Sequence, residues 1–86
     1  MARYFFNAED GECVPDKQGL ELATFEDAQV AAVRYLCESL DDRADKLWNT
    51  GIYRITVTDK RGLALFMIDV STTLSAASAP SMRKRG

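Results

Sequence analysis

The stretch Ile52–Val70, IYRITVTDKRGLALFMIDV, decides how the rest of the chain is read. Apolar and polar residues alternate on both sides of Asp59-Lys60-Arg61-Gly62, the pattern of two half-buried strands joined by a tight reversal. With Asp59–Gly62 as a four-residue loop, Thr58 is expected to pair with Leu63, Val57 with Ala64, Ile55 with Phe66 and Tyr53 with Ile68. That register places Tyr53, Ile55, Val57, Ala64, Phe66, Ile68 and Val70 on one face, whereas a one-residue slip would divide the set between two faces. The other face carries Thr56, Thr58, Leu65 and Met67.

The reversal has a twin. DKQGLEL, from Asp16 to Leu22, repeats five of the seven residues of DKRGLAL, from Asp59 to Leu65. Turn chemistry accounts for the recurrence. The Asp carboxylate accepts backbone N–H groups two residues on, and Gly in fourth place supplies the left-handed conformation that closes the loop. A duplicated ancestral hairpin is the second reading. A cation site is the third, and the Lys after each Asp opposes it, because calcium loops need several acids at alternating positions. Gly62 and Gly19 are both expected at positive φ, with Gly19 the less costly to replace because its flanking strands are shorter.

Working outward, Arg3–Ala8 (RYFFNA) reads as a strand with Tyr4, Phe6 and Ala8 on one face and Phe5 on the other. Glu9–Glu12 (EDGE) is a turn, read as a solvated acidic loop. CVPD follows as a short return strand, and Pro15, lacking an N–H, confines it to a sheet edge. Thr24–Leu40 is the clearest helix. Thr24 can cap it, Asp27 stands in the capping-box position, and Glu26 and Asp27 complement the positive end of the helix. Ala28, Ala32, Tyr35, Leu36 and Leu40 form its apolar stripe with Val33 at the border, while Val30 and Cys37 fall toward the polar side. Asp41–Gly51 reads as a connector whose Leu47 and Trp48 fold back onto the core edge. From Thr72 on, the small, polar, Pro-containing TTLSAASAPSMRKRG reads as a disordered tail following a single domain over 1–71.

Composition narrows the classes of function. Eighty-six residues make one small domain, and no apolar run is long enough to span a membrane, so a cytoplasmic location is expected. The net charge is −2, but removing Arg83, Lys84 and Arg85 leaves eight positive against thirteen negative residues. An acidic domain with a three-residue basic tail is a poor binder of polyanions, so no specific nucleic acid is expected, only a weak association through the tail. There is no histidine, which excludes His-based catalysis. The five glycines stand singly and form no phosphate loop. Cys13 and Cys37 match no metal spacing and read as reduced thiols. Cys37 would be a nucleophile only beside a group such as Lys46 or Arg34 that lowers its pKa. Arg54 reads as a solvent-side residue lying over the sheet, with pairing to a partner carboxylate as the rival. Trp48 is the one candidate interface anchor.

RYFF at the start, DKQGLEL before an acid-capped helix, and LWNTGIYRITVTDKRGLALF (Leu47–Phe66) together resemble a family of short bacterial proteins classed as a domain of unknown function. The family pattern opens R-Y-[FY]-F, carries D-x-x-G-x-E-L before the helix, and ends W-R-[VI]-x-V-x-D-x-x-G-L-x-L-F. Tyr53 stands where the family often has Trp before Arg54. The resemblance covers roughly residues 2–70 and implies a small α+β fold from a bacterial cytosol, with no activity to carry over.

The sequence therefore predicts an α+β domain in the order ββ(β)αββ. It has an antiparallel sheet of about four strands, with one long helix packed on one face. No catalytic, cofactor-binding or metal-ligating residue is assigned. A non-catalytic interaction or regulatory module is expected, with a protein partner. A second copy of the chain is a candidate partner, through the outward Phe5, Leu65 and Met67.

Overall fold

The computed structural model describes residues 1–77. Its elements run β1 (Ala2–Glu9), β2 (Cys13–Val14), β3 (Leu20–Leu22), α1 (Phe25–Asp42), α2 (Ala44–Thr50), β4 (Ile52–Thr58) and β5 (Ala64–Ser71). All strand pairings are antiparallel. The order across the sheet is β2-β1-β4-β5, with β3 also paired to β1. The α+β architecture with hairpins flanking a long helix is thus present, with five strands rather than four because β2 and β3 pair separately along β1.

The core follows the alternation. Tyr4, Phe6 and Ala8 from β1 and Tyr53, Ile55 and Val57 from β4 are buried on one face, beneath Ala28, Ala32 and Leu36 of α1. Ile55 and Val57 are fully buried, and burying a side chain of this kind contributes about 1.5–3 kcal/mol. Small alanines on the helix stripe let α1 lie close on the sheet. Thr24 caps α1, its hydroxyl accepting the Asp27 N–H at 3.0 Å, an interaction typically worth about 1 kcal/mol. Ala31 joins the packed side of the helix, while Tyr35 and Val33 stay largely exposed. The buried strip is therefore narrower than the wheel suggests.

Several expectations change. The connector over 41–51 contains a helix, α2, closed by Gly51, whose N–H bonds to the Leu47 carbonyl at 2.8 Å. Leu47 packs against the core as expected, but Trp48 is 61% exposed and does not fold back. Adjacent residues on a short helix point about 100° apart, so one of the pair must leave the sheet.

The β4–β5 register also differs. Ile55 lies opposite Ile68, Val57 opposite Phe66 and Tyr53 opposite Val70. The shift is two residues, so Phe66, Ile68 and Val70 keep the inner face, half-buried. Its cause is the loop. Asp59 Oδ1 accepts the N–H groups of both Arg61 and Leu63, and the Asp59 N–H bonds to the Leu63 carbonyl. Leu63 is thereby drawn into the turn. An irregularity follows at Thr58, which pairs with Ala64 and leaves Leu65 as an extra residue. Leu65 consequently packs against the core while Ala64 is exposed, the reverse of the expected faces.

β5 ends at Ser71, and the Thr72 N–H still bonds to the Gly51 carbonyl at 3.0 Å. The expected disorder of the tail and its Arg83–Lys84–Arg85 cluster lie, for residues 78–86, outside the described residues. Among the described residues no helix is long and apolar enough to cross a membrane.

Candidate functional site

Along β1 the backbone groups of Phe5, Asn7 and Glu9 face β4, so those of Tyr4, Phe6 and Ala8 face the opposite edge. Two short strands cover that edge in different registers. Ala8 and Glu9 pair with Val14 and Cys13, and Ala2, Arg3 and Tyr4 pair with Leu22, Glu21 and Leu20. The five residues Pro15–Gly19 therefore stand opposite only three of β1. Pro15 cannot donate to the ladder, and the chain loops outward.

Asp16 closes the gap. Its Oδ2 accepts the Phe6 N–H at 3.2 Å, and its Oδ1 accepts the N–H groups of Gln18 at 3.0 Å and Gly19 at 3.1 Å. In return the Asp16 N–H donates to Asn7 Oδ1 at 2.9 Å, while Asn7 Nδ2 reaches the Thr56 carbonyl at 3.1 Å and Thr58 Oγ1 at 3.3 Å. Burial alone would raise the Asp16 carboxyl, but the N–H groups of Gly19, Phe6 and Gln18 outweigh it and hold its pKa below the ordinary value. Gly19, at φ +72°, lies so close to β1 that a Cβ there would stand 2.9 Å from Arg3 Cγ and from the Phe5 ring. Arg3 secures the loop from outside, donating to the Gln18 carbonyl at 2.7 Å and pairing with Glu21 at 3.4 Å.

The looped segment and α1 enclose a groove of about 680 Å³. Phe6, Val14, Pro15, Leu20, Ala31 and Tyr35 supply its apolar surface. Asp16, Lys17, Gln18, Arg34 and Glu38 bring polar groups of both charges to it. Residues 31, 34, 35 and 38 recur at helical spacing and so share one side of α1. The Tyr35 ring stands edge-on to Phe6 at 6.4 Å, and its hydroxyl pKa is raised, first by burial and then by the nearby Tyr53 and Asp16. It stays protonated at neutral pH, available as a hydrogen-bond donor.

A second cluster lies at the C-terminal end of α1. Arg43, between α1 and α2, pairs with Asp10 and sits 4.9 Å over the Tyr53 ring. Asp10 is thus a half-buried tether, whereas Glu9 and Glu12 are exposed as expected of an acidic turn. Arg54 pairs in-chain with Asp69 at 3.0 Å across neighbouring strands. Cys13 and Cys37 are both free and exposed, and among the described residues no hydrogen bond or ion pair joins Cys37 to Lys46 or Arg34. No group of three or more Cys, Asp or Glu residues suited to a metal is brought together among the described residues. Asp16 and Asp59, paired in the sequence by their motif, occupy separate turns.

Sequence reading missed Arg43, Asn7 and the groove itself. The available signal was Pro15 followed by Asp16, a ladder interruption beside an acid able to replace the missing pairing. Tyr35 looked like an ordinary stripe position, and Ala31 lay outside the stripe.

No curated protein and no solved structure matches the chain. The family model described as Domain of unknown function (DUF6894) matches residues 3–71. That span runs from β1 to the last residue of β5, enclosing the looped edge, both helices and the hairpin, and the chain belongs to this family.

Proposed function

We propose that the protein is a non-catalytic binding module that takes a segment of another protein into the groove between the Pro15–Gly19 loop and α1. The observation carrying this reading is the division of labour in the groove. Its apolar side chains remain open while its central acid is already committed. Asp16 accepts three backbone N–H groups, so it has little capacity left as a base, and its lowered pKa keeps it ionised. The protonated Tyr35 hydroxyl and the flanking Lys17, Arg34 and Glu38 favour a short peptide with an apolar anchor and mixed polar flanks. A polyanion gains nothing from a rim carrying both signs. Exposed free thiols at Cys13 and Cys37 suit a reducing cytoplasmic setting.

Peptide display on the wild-type protein, followed by titration of the selected peptide, tests this. Val14 and Leu20 are exposed, so Val14→Asp and Leu20→Asp alter the groove without touching the core. The expected outcome is a loss of affinity of about tenfold or more with unchanged melting. Peptides that bind both variants as tightly as the wild type place the interaction elsewhere and remove the groove from consideration.

A further inference from the structure

The two edges of the sheet are built differently. One is broken up by Pro15, looped outward and tied down by Asp16 and Arg3. The other, β5, is an eight-residue strand with a single charged residue and no proline, paired on one side only among the described residues. Native proteins seldom leave such an edge open. The Thr72–Gly51 bond belongs to the β4–β5 register, so Val70, Ile68 and Phe66 aim their backbone groups at β4. Met67, Asp69 and Ser71 therefore present N–H and C=O groups outward. On the inner face Phe66, Ile68 and Val70 are only half-buried, and α1 meets the strand at Phe25, whose ring stands edge-on to Phe66 at 5.3 Å.

We infer that β5 pairs antiparallel with β5 of a second copy of this chain about a twofold axis at Ile68, joining the two sheets. The strand is self-complementary in that register. Ile68 meets its own counterpart, Phe66 meets the partner's Val70, and Met67 meets the partner's Asp69. The inner-face residues thus cover one another from both copies. The neighbouring registers fail for stated reasons. Centring on Asp69 sets two carboxylates against each other. Centring on Met67 sets Asp69 against Leu65, the residue displaced by the irregularity next to Thr58. This surface lies on the opposite sheet edge from the groove, so its failure leaves the groove reading untouched.

One strand pairing is a small interface, at or below about 1,200 Å² in total, so the dimer is concentration-dependent. Sedimentation of the full chain from about 10 µM to 1 mM is expected to show a monomer–dimer equilibrium. Met67 is exposed on the outer face, and charge there reads the register directly. Met67→Lys, opposite the partner's Asp69, tightens the dimer severalfold, and Met67→Glu weakens it. Amide exchange supplies a readout without mutation. Met67, Asp69 and Ser71 amides are slow at high concentration and fast at low. A wild type monomeric throughout overturns the proposal. If its three amides are slow at every concentration, the chain's own residues 78–86 cover the edge instead. Equal weakening by Lys and Glu also overturns it, because that is the signature of contact through the outer face.

Discussion

The two D-K-x-G-L-x-L segments share most of their residues, and the fold uses them unequally. Around Asp59 the carboxylate serves only its own turn, accepting the Arg61 and Leu63 N–H groups, and a Cβ added at Gly62 would meet nothing within 4 Å. Around Asp16 one oxygen closes the turn while the other leaves it to take the Phe6 N–H of the central strand. Gly19 is pressed against Arg3 and Phe5. The turn code is portable because it is written in backbone bonds a few residues long. Its energetic weight is set by what lies alongside, which the motif does not encode.

The sharpest way to break this comparison is at the glycines. Gly19→Val combines a left-handed backbone with a steric conflict against β1, and a cost of about 3 kcal/mol or more is expected. That corresponds to a fall in melting temperature of more than about 10 °C for a domain of this size. Gly62→Val meets only the backbone term, about 1–2 kcal/mol. The expectation that Gly19 is the milder of the two, because its strands are short, is reversed by the packing. Equal melting of the two variants sinks the comparison.

Asp16→Ala is next in size. It leaves the Phe6 N–H without its acceptor at a half-buried edge, a cost of about 1–3 kcal/mol. Asp59→Ala opens an exposed turn, and a smaller fall in melting temperature is expected.

Acid sharpens the same contrast. Both carboxyls lie below the ordinary value of 3.8 in the folded state, Asp59 chiefly through the Leu63 N–H. A depressed folded pKa means the stabilisation is complete above the unfolded value and disappears as pH falls through the folded one. Melting should therefore decline below about pH 4 in the wild type. Asp16→Asn should flatten that decline more than Asp59→Asn. The smallest effect expected is the residual acid dependence of the double variant, and a double variant as acid-sensitive as the wild type would assign the decline to other carboxylates.

Much of the fold was legible in the sequence. Tyr53-Ile55-Val57 and Tyr4-Phe6-Ala8 announced their faces by period-two alternation, and Thr24 with Asp27 announced the start of α1. The Asp and Gly of each turn were recognisable because their chemistry is complete within four residues. The candidate site was not legible. Its walls come from Val14–Leu20 and from Ala31–Glu38, which meet only because Pro15 stops one ladder and Asp16 starts a different bond to Phe6. Arg43 looked like a charge in a connector until α2 placed it over Tyr53 and beside Asp10.

The sequence by itself determined which residues alternate, where the chain reverses and where the long helix begins, because these depend on neighbours within a turn or two. Tertiary structure decided the two-residue register of β5, the burial of Leu65 in place of Ala64, the exposure of Trp48 and the groove beside α1. Each of those depends on which of several equally good local bonds is compatible with a distant strand, and two extra residues absorbed between the turn and the irregularity after it change every pairing beyond them while leaving the alternation of faces intact.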